Sequence, residues 1–198
     1  MHREGHIGLT LLLFSTFSFI FNFWNNTVLV ISLIFSVVPD YDIYLQRHGM
    51  KKLFGLLTAM STILIIPVFV QHRNFTIFAI PFSFYLLFLM SEHRGFSHTV
   101  VFAILCGVLT GFFTFEIFRD YIIGFLGAFL GVMSHIFGDL LTHRPLTPFY
   151  PFYKRKIAFR IIKSSNSAAN MAFLILGMVV LVILYKGKII QSIISIIR

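Results

Sequence analysis

The stretch TVVFAILCGVLTGFFTF (residues 99–115), with YIIGFLGAFLGV (residues 121–132) soon after it, decides the fold class. Neither run contains a charged residue. With its flanks, each approaches the roughly 20 residues that an α-helix needs to span the hydrocarbon core of a bilayer. Both runs therefore predict transmembrane helices.

The composition of the whole chain supports the same interpretation. Of its 198 residues, 58% are hydrophobic and 12% are charged, and the mean hydropathy is +0.89. A soluble domain carries roughly 25% charged residues, so a water-soluble globular protein is excluded. We predict an all-α, polytopic transmembrane bundle in a single domain (1–198), with about seven hydrophobic segments at residues 7–24, 27–38, 53–70, 75–90, 99–118, 121–142 and 168–185.

The basic residues predict the orientation, because positively charged loops stay in the cytoplasm. A cytoplasmic N-terminus keeps the basic loop 143–167 in the cytoplasm, whereas the opposite orientation would translocate it. We therefore expect an integral protein of the cell membrane with its N-terminus inside.

The same loop predicts a partner. Its cations are interleaved with apolar residues, a pattern typical of a short amphipathic helix on an anionic leaflet; they are Lys154, Arg155, Lys156, Arg160 and Lys163. Nucleic acid is the competing partner for a chain of net charge +9, but no DNA-reading motif is present, so none is expected. The sequence identifies no protein partner.

Acidic residues are rare and unevenly placed. Only seven occur, and four of them lie in or beside short polar motifs at the ends of the predicted segments: Asp40, Asp42, Glu92 and Asp139. Ionisable groups at membrane depth are costly and by default indicate function.

Histidines accompany these carboxylates at spacings that suit a metal site. His135 and Asp139 are four residues apart and would share one face of a helix. His93 and His98 are five apart, but Gly95 lets the chain turn between them. The single cysteine, Cys106, rules out a cysteine-built zinc site.

We therefore predict a metal site at the cytoplasmic membrane face, with a proton or ion pathway as the alternative. Its candidate ligands are His6, Asp40, Asp42, His93, His98, His135 and Asp139. Seven ligands exceed the four of a closed structural zinc site and suit two ions, or one ion with a second shell. Glu92 is the candidate general base, and Arg94 is the candidate phosphate-binding residue or a helix cap.

The motifs PDYD (39–42), HRGFSHT (93–99) and HIFGDLLT (135–142) resemble the YdjM-type family of membrane-bound, metal-dependent hydrolases. Some members are described as LexA-binding, and the family is distantly similar to all-helical, zinc-dependent phospholipases C. The resemblance implies a membrane-bound, metal-dependent hydrolase. We expect zinc or manganese, one or two ions, and a lipid phosphoester as substrate, because lipid headgroups lie at the depth of the span ends where the ligands are predicted. A transporter or a metal-sensing protein with the same ligands is the runner-up, and a scaffold is the third alternative.

Overall fold

The computed structural model describes residues 1–40 and 95–197 of the chain. Within these ranges the chain forms five α-helices: α1 (Arg3–Ile20), α2 (Asn26–Phe35), α3 (Val100–Phe118), α4 (Tyr121–Leu140) and α5 (Ser167–Ile197). Two 3-10 turns, Val38–Asp40 and Phe96–His98, follow α2 and precede α3. No strand is present among the described residues, so the prediction of an all-α protein is confirmed for them.

Side chains at the helix ends explain where the helices begin. Asn25 accepts hydrogen bonds from the backbone N–H groups of Thr27 and Val28 at the start of α2. Asp120 caps α4 in the same way, one residue after Arg119 ends α3 in the left-handed conformation (φ 57°). These caps satisfy amide donors that a helix leaves unpaired. The short connection at Arg119 and Asp120 places α3 directly beside α4, on which it packs.

Three helical stretches are long and apolar enough to cross a membrane: Val100–Phe118, Tyr121–Leu140 and Ser167–Lys186. The helices α1 and α2 correspond to two further predicted segments, but α1 is not among these three and α2 is a shorter apolar helix. Segments 53–70 and 75–90 lie outside the described residues. The count of about seven is therefore not supported, because three candidate spans are found in the part of the chain that the structure describes.

Small residues allow close packing of the helices. Helix α4 packs on α3, α2 and α1, and α1 also packs on α5. A side chain added at Gly131 of α4 would lie 2.4 Å from the Ser32 carbonyl of α2, and one at Gly8 of α1 would lie 2.3 Å from the Leu174 backbone of α5. The backbones thus approach as closely as membrane helices with small interfacial residues do. A buried apolar core, which includes Phe102, lies between α3 and α4.

The basic loop does not form the predicted amphipathic helix. Residues 154–163 are irregular, and Leu146 and Ile157 pair through two backbone hydrogen bonds of 2.8 and 2.9 Å. The N–H groups of Phe159 and Ile161 donate to the carbonyls of Leu140 and Leu141, at 2.7 and 2.9 Å. The prediction was wrong because these amides bind the unpaired carbonyls at the end of α4 instead of forming a helix of their own.

Candidate metal centre

Two side chains of the candidate centre lie on α4. His135 and Asp139 share one helix face, as their four-residue spacing predicts, and they are 0% and 1% exposed. Both lie in the last two turns of the helix. The C-terminal end of this candidate span is therefore the side of the bundle on which the centre is built.

The 3-10 turns bring two more side chains to the same place. His98 ends the turn before α3 and is fully buried, and Asp40 ends the turn after α2 with its side chain 35% exposed. Thr99 fixes the start of α3 by accepting a hydrogen bond from the Phe102 N–H, which holds His98 just outside the helix. Residues 40, 98, 135 and 139 thus converge although they are distant in sequence.

These four residues form one compact cluster. One ligand atom from each of Asp40, His98, His135 and Asp139 can be chosen so that all four lie within 4.8 Å of one another. The Nε2 atoms of His98 and His135 are 3.3 Å apart. Three further pairs are separated by 3.7 Å: His98 Nε2 from Asp40 Oδ1, His98 Nε2 from Asp139 Oδ2, and His135 Nε2 from Asp40 Oδ1.

Four of the six ligand-atom separations are close to those around a tetrahedral ion, and the other two lie within 4.8 Å. Zinc–nitrogen bonds of about 2.0–2.1 Å at tetrahedral angles place two ligand atoms roughly 3.3 to 3.4 Å apart. The His98–His135 distance of 3.3 Å has this value, and the carboxylate distances of 3.7 Å need only small side-chain adjustments. Two imidazoles and two carboxylates are also a donor set that divalent transition metals accept.

A backbone carbonyl sets the tautomer of His135. Its Nδ1 lies 2.7 Å from the Ser36 oxygen, which is only an acceptor, so Nδ1 carries the proton and donates it. The neutral ring then directs the Nε2 lone pair at the cluster, as a metal ligand requires. The Nδ1 of His98 lies 3.0 Å from the Ser97 hydroxyl, which can either donate or accept and therefore does not select a tautomer.

His6 lies beside the cluster. Its ring stacks on that of His135, with centroids 3.9 Å apart and an interplanar angle of 11°. Its Nε2 is 3.5 Å from Asp139 Oδ1 and 3.9 Å from Asp40 Oδ2. Neither ring nitrogen makes a hydrogen bond within residues 1–40 and 95–197, although the residue is fully buried. His6 is thus placed to bind a second ion or to contact both carboxylates.

The α-ammonium of Met1 also contacts the cluster. It donates to Asp139 Oδ1 and is buried. Asp139 therefore has a cationic group at one oxygen, while its other oxygen faces His98. A metal that bound both oxygens would have to displace this ammonium.

Asp40 is the cluster's exposed member and lies outside the three candidate spans. Burial alone would raise the pKa of Asp40. The hydrogen bond with His98 and the nearby His135 and His6 outweigh that effect and lower the pKa to about 2. Asp40 is therefore ionised at neutral pH, in the state that binds a cation. Among the four cluster residues, Asp40 is the only one that is not buried.

The structure brings together five of the nine residues that the sequence singled out, namely His6, Asp40, His98, His135 and Asp139. The predicted ligands Asp42 and His93 and the predicted catalytic residues Glu92 and Arg94 lie outside the described residues. Sequence reasoning missed the Ser36 carbonyl, because a pattern of side chains does not reveal a backbone contact. It also missed the Met1 ammonium, which could have been considered because Met1 is only five residues from His6 in the chain.

Comparisons with known proteins identify the family. The model of a family described as YdjM inner membrane protein matches residues 1–196. No curated protein and no solved structure matches the chain. The match covers nearly the whole sequence and includes every residue of the cluster. The chain is therefore a member of the YdjM inner membrane protein family.

Proposed function

We propose that this protein is a membrane-embedded, metal-dependent hydrolase whose centre is built from Asp40, His98, His135 and Asp139. The observation that carries the proposal is the compact four-ligand cluster, in which two imidazole nitrogens lie 3.3 Å apart and two carboxylates complete the set. Burying several ionisable side chains in a membrane protein costs free energy, so a cluster of this kind indicates a function.

Zinc or manganese is the ion that we propose, because imidazole nitrogen and carboxylate oxygen together suit both metals. One ion fits the four-residue cluster. A second ion would use His6, which contacts both carboxylates, with Asp42 and His93 as its other predicted ligands.

Hydrolysis would need an activated water and a site that is shielded on one side, and the described residues support both. A bound divalent ion would lower the pKa of a coordinated water and polarise an ester oxygen. Ser36 holds His135 in the ligating tautomer, and the burial of His98, His135 and Asp139 excludes bulk water from one side. Asp40 leaves the opposite side accessible. Glu92 as general base and Arg94 as phosphate ligand remain proposals from the sequence.

We propose a lipid phosphoester as the substrate. Asp139 lies in the last turn of one candidate span, and His98 lies just before the first residue of another. The ends of spans lie at the depth of lipid headgroups, where the phosphoester of a phospholipid is found. With the N-terminus in the cytoplasm, as the basic residues predict, the centre would act on the cytoplasmic leaflet.

Metal analysis followed by an activity assay tests the proposal. Protein purified without chelators is expected to carry one to two ions of zinc or manganese per chain, and His135→Ala and Asp139→Ala should lower that content. Removing a ligand should cost more than the 10- to 100-fold in affinity that loss of an outer-shell partner costs. His143→Ala is the matched control, because His143 is exposed and lies outside the cluster.

The metal-loaded protein is then incubated in detergent with phospholipids and lipid phosphates, and released phosphate or headgroup is measured. Release by the wild type and His143→Ala, but not by His98→Ala, is expected. Trace metal in the wild type would refute the metal centre and favour a proton relay. Stoichiometric metal without hydrolysis of any lipid or membrane peptide would instead favour the transporter or metal-sensing alternative.

A further inference from the structure

The loop between α4 and α5 projects a defined tip. The paired backbones of Leu146 and Ile157 close a loop of residues 147–156, which has internal hydrogen bonds from Tyr150 N–H to the Thr147 carbonyl (3.1 Å) and from Tyr153 N–H to the Phe149 carbonyl (3.0 Å). We call residues 147–156 the tip. It is a folded segment, with its own turns and a closed base.

The tip exposes large apolar side chains. Phe152 is 87% exposed, Phe149 and Tyr153 are each 51% exposed, and Tyr150 is 41% exposed. Four aromatic side chains in five successive positions make an exposed apolar patch, which in a soluble environment would be unfavourable. Tyrosine rings with a polar end suit the boundary between headgroups and acyl chains.

The tip is also strongly cationic. Lys154, Arg155 and Lys156 are exposed beside the aromatic patch, and Arg144, Arg160 and Lys163 are exposed near its base. No acidic residue follows Asp139 in the sequence, so this loop contributes no side-chain carboxylate to balance its own cations. An anionic surface would therefore be electrostatically complementary to the tip.

The position of the tip selects among anionic partners. Its loop connects the end of one candidate span to the start of another, Tyr121–Leu140 and Ser167–Lys186. The polypeptide therefore enters and leaves the tip at a membrane face. The cations would also attract nucleic acid or an acidic protein, but neither partner explains why phenylalanines are exposed in a loop that begins and ends at a membrane face.

We infer that the tip inserts its aromatic side chains into the headgroup layer of an anionic phospholipid leaflet, with its cations bound to lipid phosphates. One backbone contact couples the tip itself to the metal centre, and a second couples the segment that follows the tip. The Pro148 carbonyl accepts from the Val100 N–H (2.8 Å), two residues after His98, and the Leu140 carbonyl next to Asp139 accepts from Phe159 (2.7 Å). Insertion thereby fixes the depth of the centre relative to the headgroups, whether or not the centre hydrolyses lipid.

Tryptophan fluorescence in vesicles tests the inference. Trp24 is the only tryptophan, so Phe152→Trp in a Trp24→Phe background gives a single probe at the tip. Tyr153→Trp in the same background is a second probe, in case one variant folds poorly. Val179→Trp, on the exposed face of α5, is the control for a deep position inside a candidate span.

The full-length variants are reconstituted in phosphatidylcholine vesicles with or without phosphatidylglycerol. We expect the tip probes to be quenched by lipids brominated near the headgroup and shielded from aqueous acrylamide, whereas the control is quenched by deeply brominated lipids. Brominated phosphatidylglycerol, used as a minor component, should quench the tip probes more strongly than brominated phosphatidylcholine. Lys154→Gln with Lys156→Gln should reduce that preference severalfold, because each cation near an anionic leaflet contributes favourable energy.

Two outcomes would overturn the inference. Tip probes that acrylamide quenches freely and brominated lipids do not would show that the tip lies in water, where it is available to a soluble partner. Equal quenching by the two brominated lipids, unchanged by the double substitution, would show that the leaflet's charge has no part in binding the tip.

Discussion

Replacing Gly131 with alanine tests whether α2 sets the geometry of the metal centre. The added methyl would lie 2.4 Å from the Ser32 carbonyl, and an ordinary contact needs at least 3.4 Å, so α2 must move by about 1 Å. Ser36 and Asp40 follow Ser32 in the chain and would move with it. Metal sites tolerate deviations of about 0.2 Å, so this shift should remove Asp40 from the coordination sphere and weaken the Ser36–His135 hydrogen bond.

We expect Gly131→Ala to lower metal affinity by at least the 10- to 100-fold that loss of an outer-shell partner costs. Competition against a chromophoric chelator in detergent measures this loss. Gly107→Ala is the matched control, because its methyl would lie 3.0 Å from the Phe125 ring and 3.2 Å from the Phe125 carbonyl, contacts that need shifts of only a few tenths of an ångström. Both substitutions gain the same helix propensity of about 1 kcal/mol, so propensity cannot explain a difference between them. Equal affinities in two folded variants would refute the role assigned to α2.

Two other predictions concern the topology and the packing of α1. In a Cys106→Ser background, a cysteine at Arg119 should react with an impermeant thiol reagent outside intact cells, and a cysteine at Lys156 should not. Labelling at Lys156 would show that the chain has the opposite orientation. Gly8→Ala should destabilise the protein by about 1–3 kcal/mol, because its methyl would lie 2.3 Å from the Leu174 backbone. A lower melting temperature in detergent is the expected result, and an unchanged one would mean that α1 and α5 separate without cost.

Local patterns predicted much of the helical structure. The segments 99–118 and 121–142 correspond to α3 and α4, because long uncharged apolar runs predict membrane helices. In the structure, Thr99 and Asp120 cap the starts of these two helices. The last helix runs to Ile197, well beyond the predicted end at residue 185. Charged residues near that end suggested a boundary, but lysine is a good helix former and does not end a helix.

The candidate centre was predictable where its geometry is local. The four-residue spacing of His135 and Asp139 specifies a shared helix face without knowledge of the fold. The approach of Asp40 to His135 depends on how α2 packs on α4 at Gly131, and this long-range contact has no sequence signature. The failed helix prediction for residues 154–163 has the same origin, because the carbonyls of α4 compete for the amides of that segment.

The scattered origin of the four ligands has a consequence for the biogenesis of this protein. Asp40 and His98 leave the ribosome before His135 and Asp139, which lie in the last turns of α4. A nascent chain that has not yet inserted α4 lacks half of the donor atoms, and a fragment that ends before residue 139 can never assemble the set. Metal binding at the proposed centre would therefore be a property of the inserted chain, and metal uptake would report that membrane integration of α4 is complete.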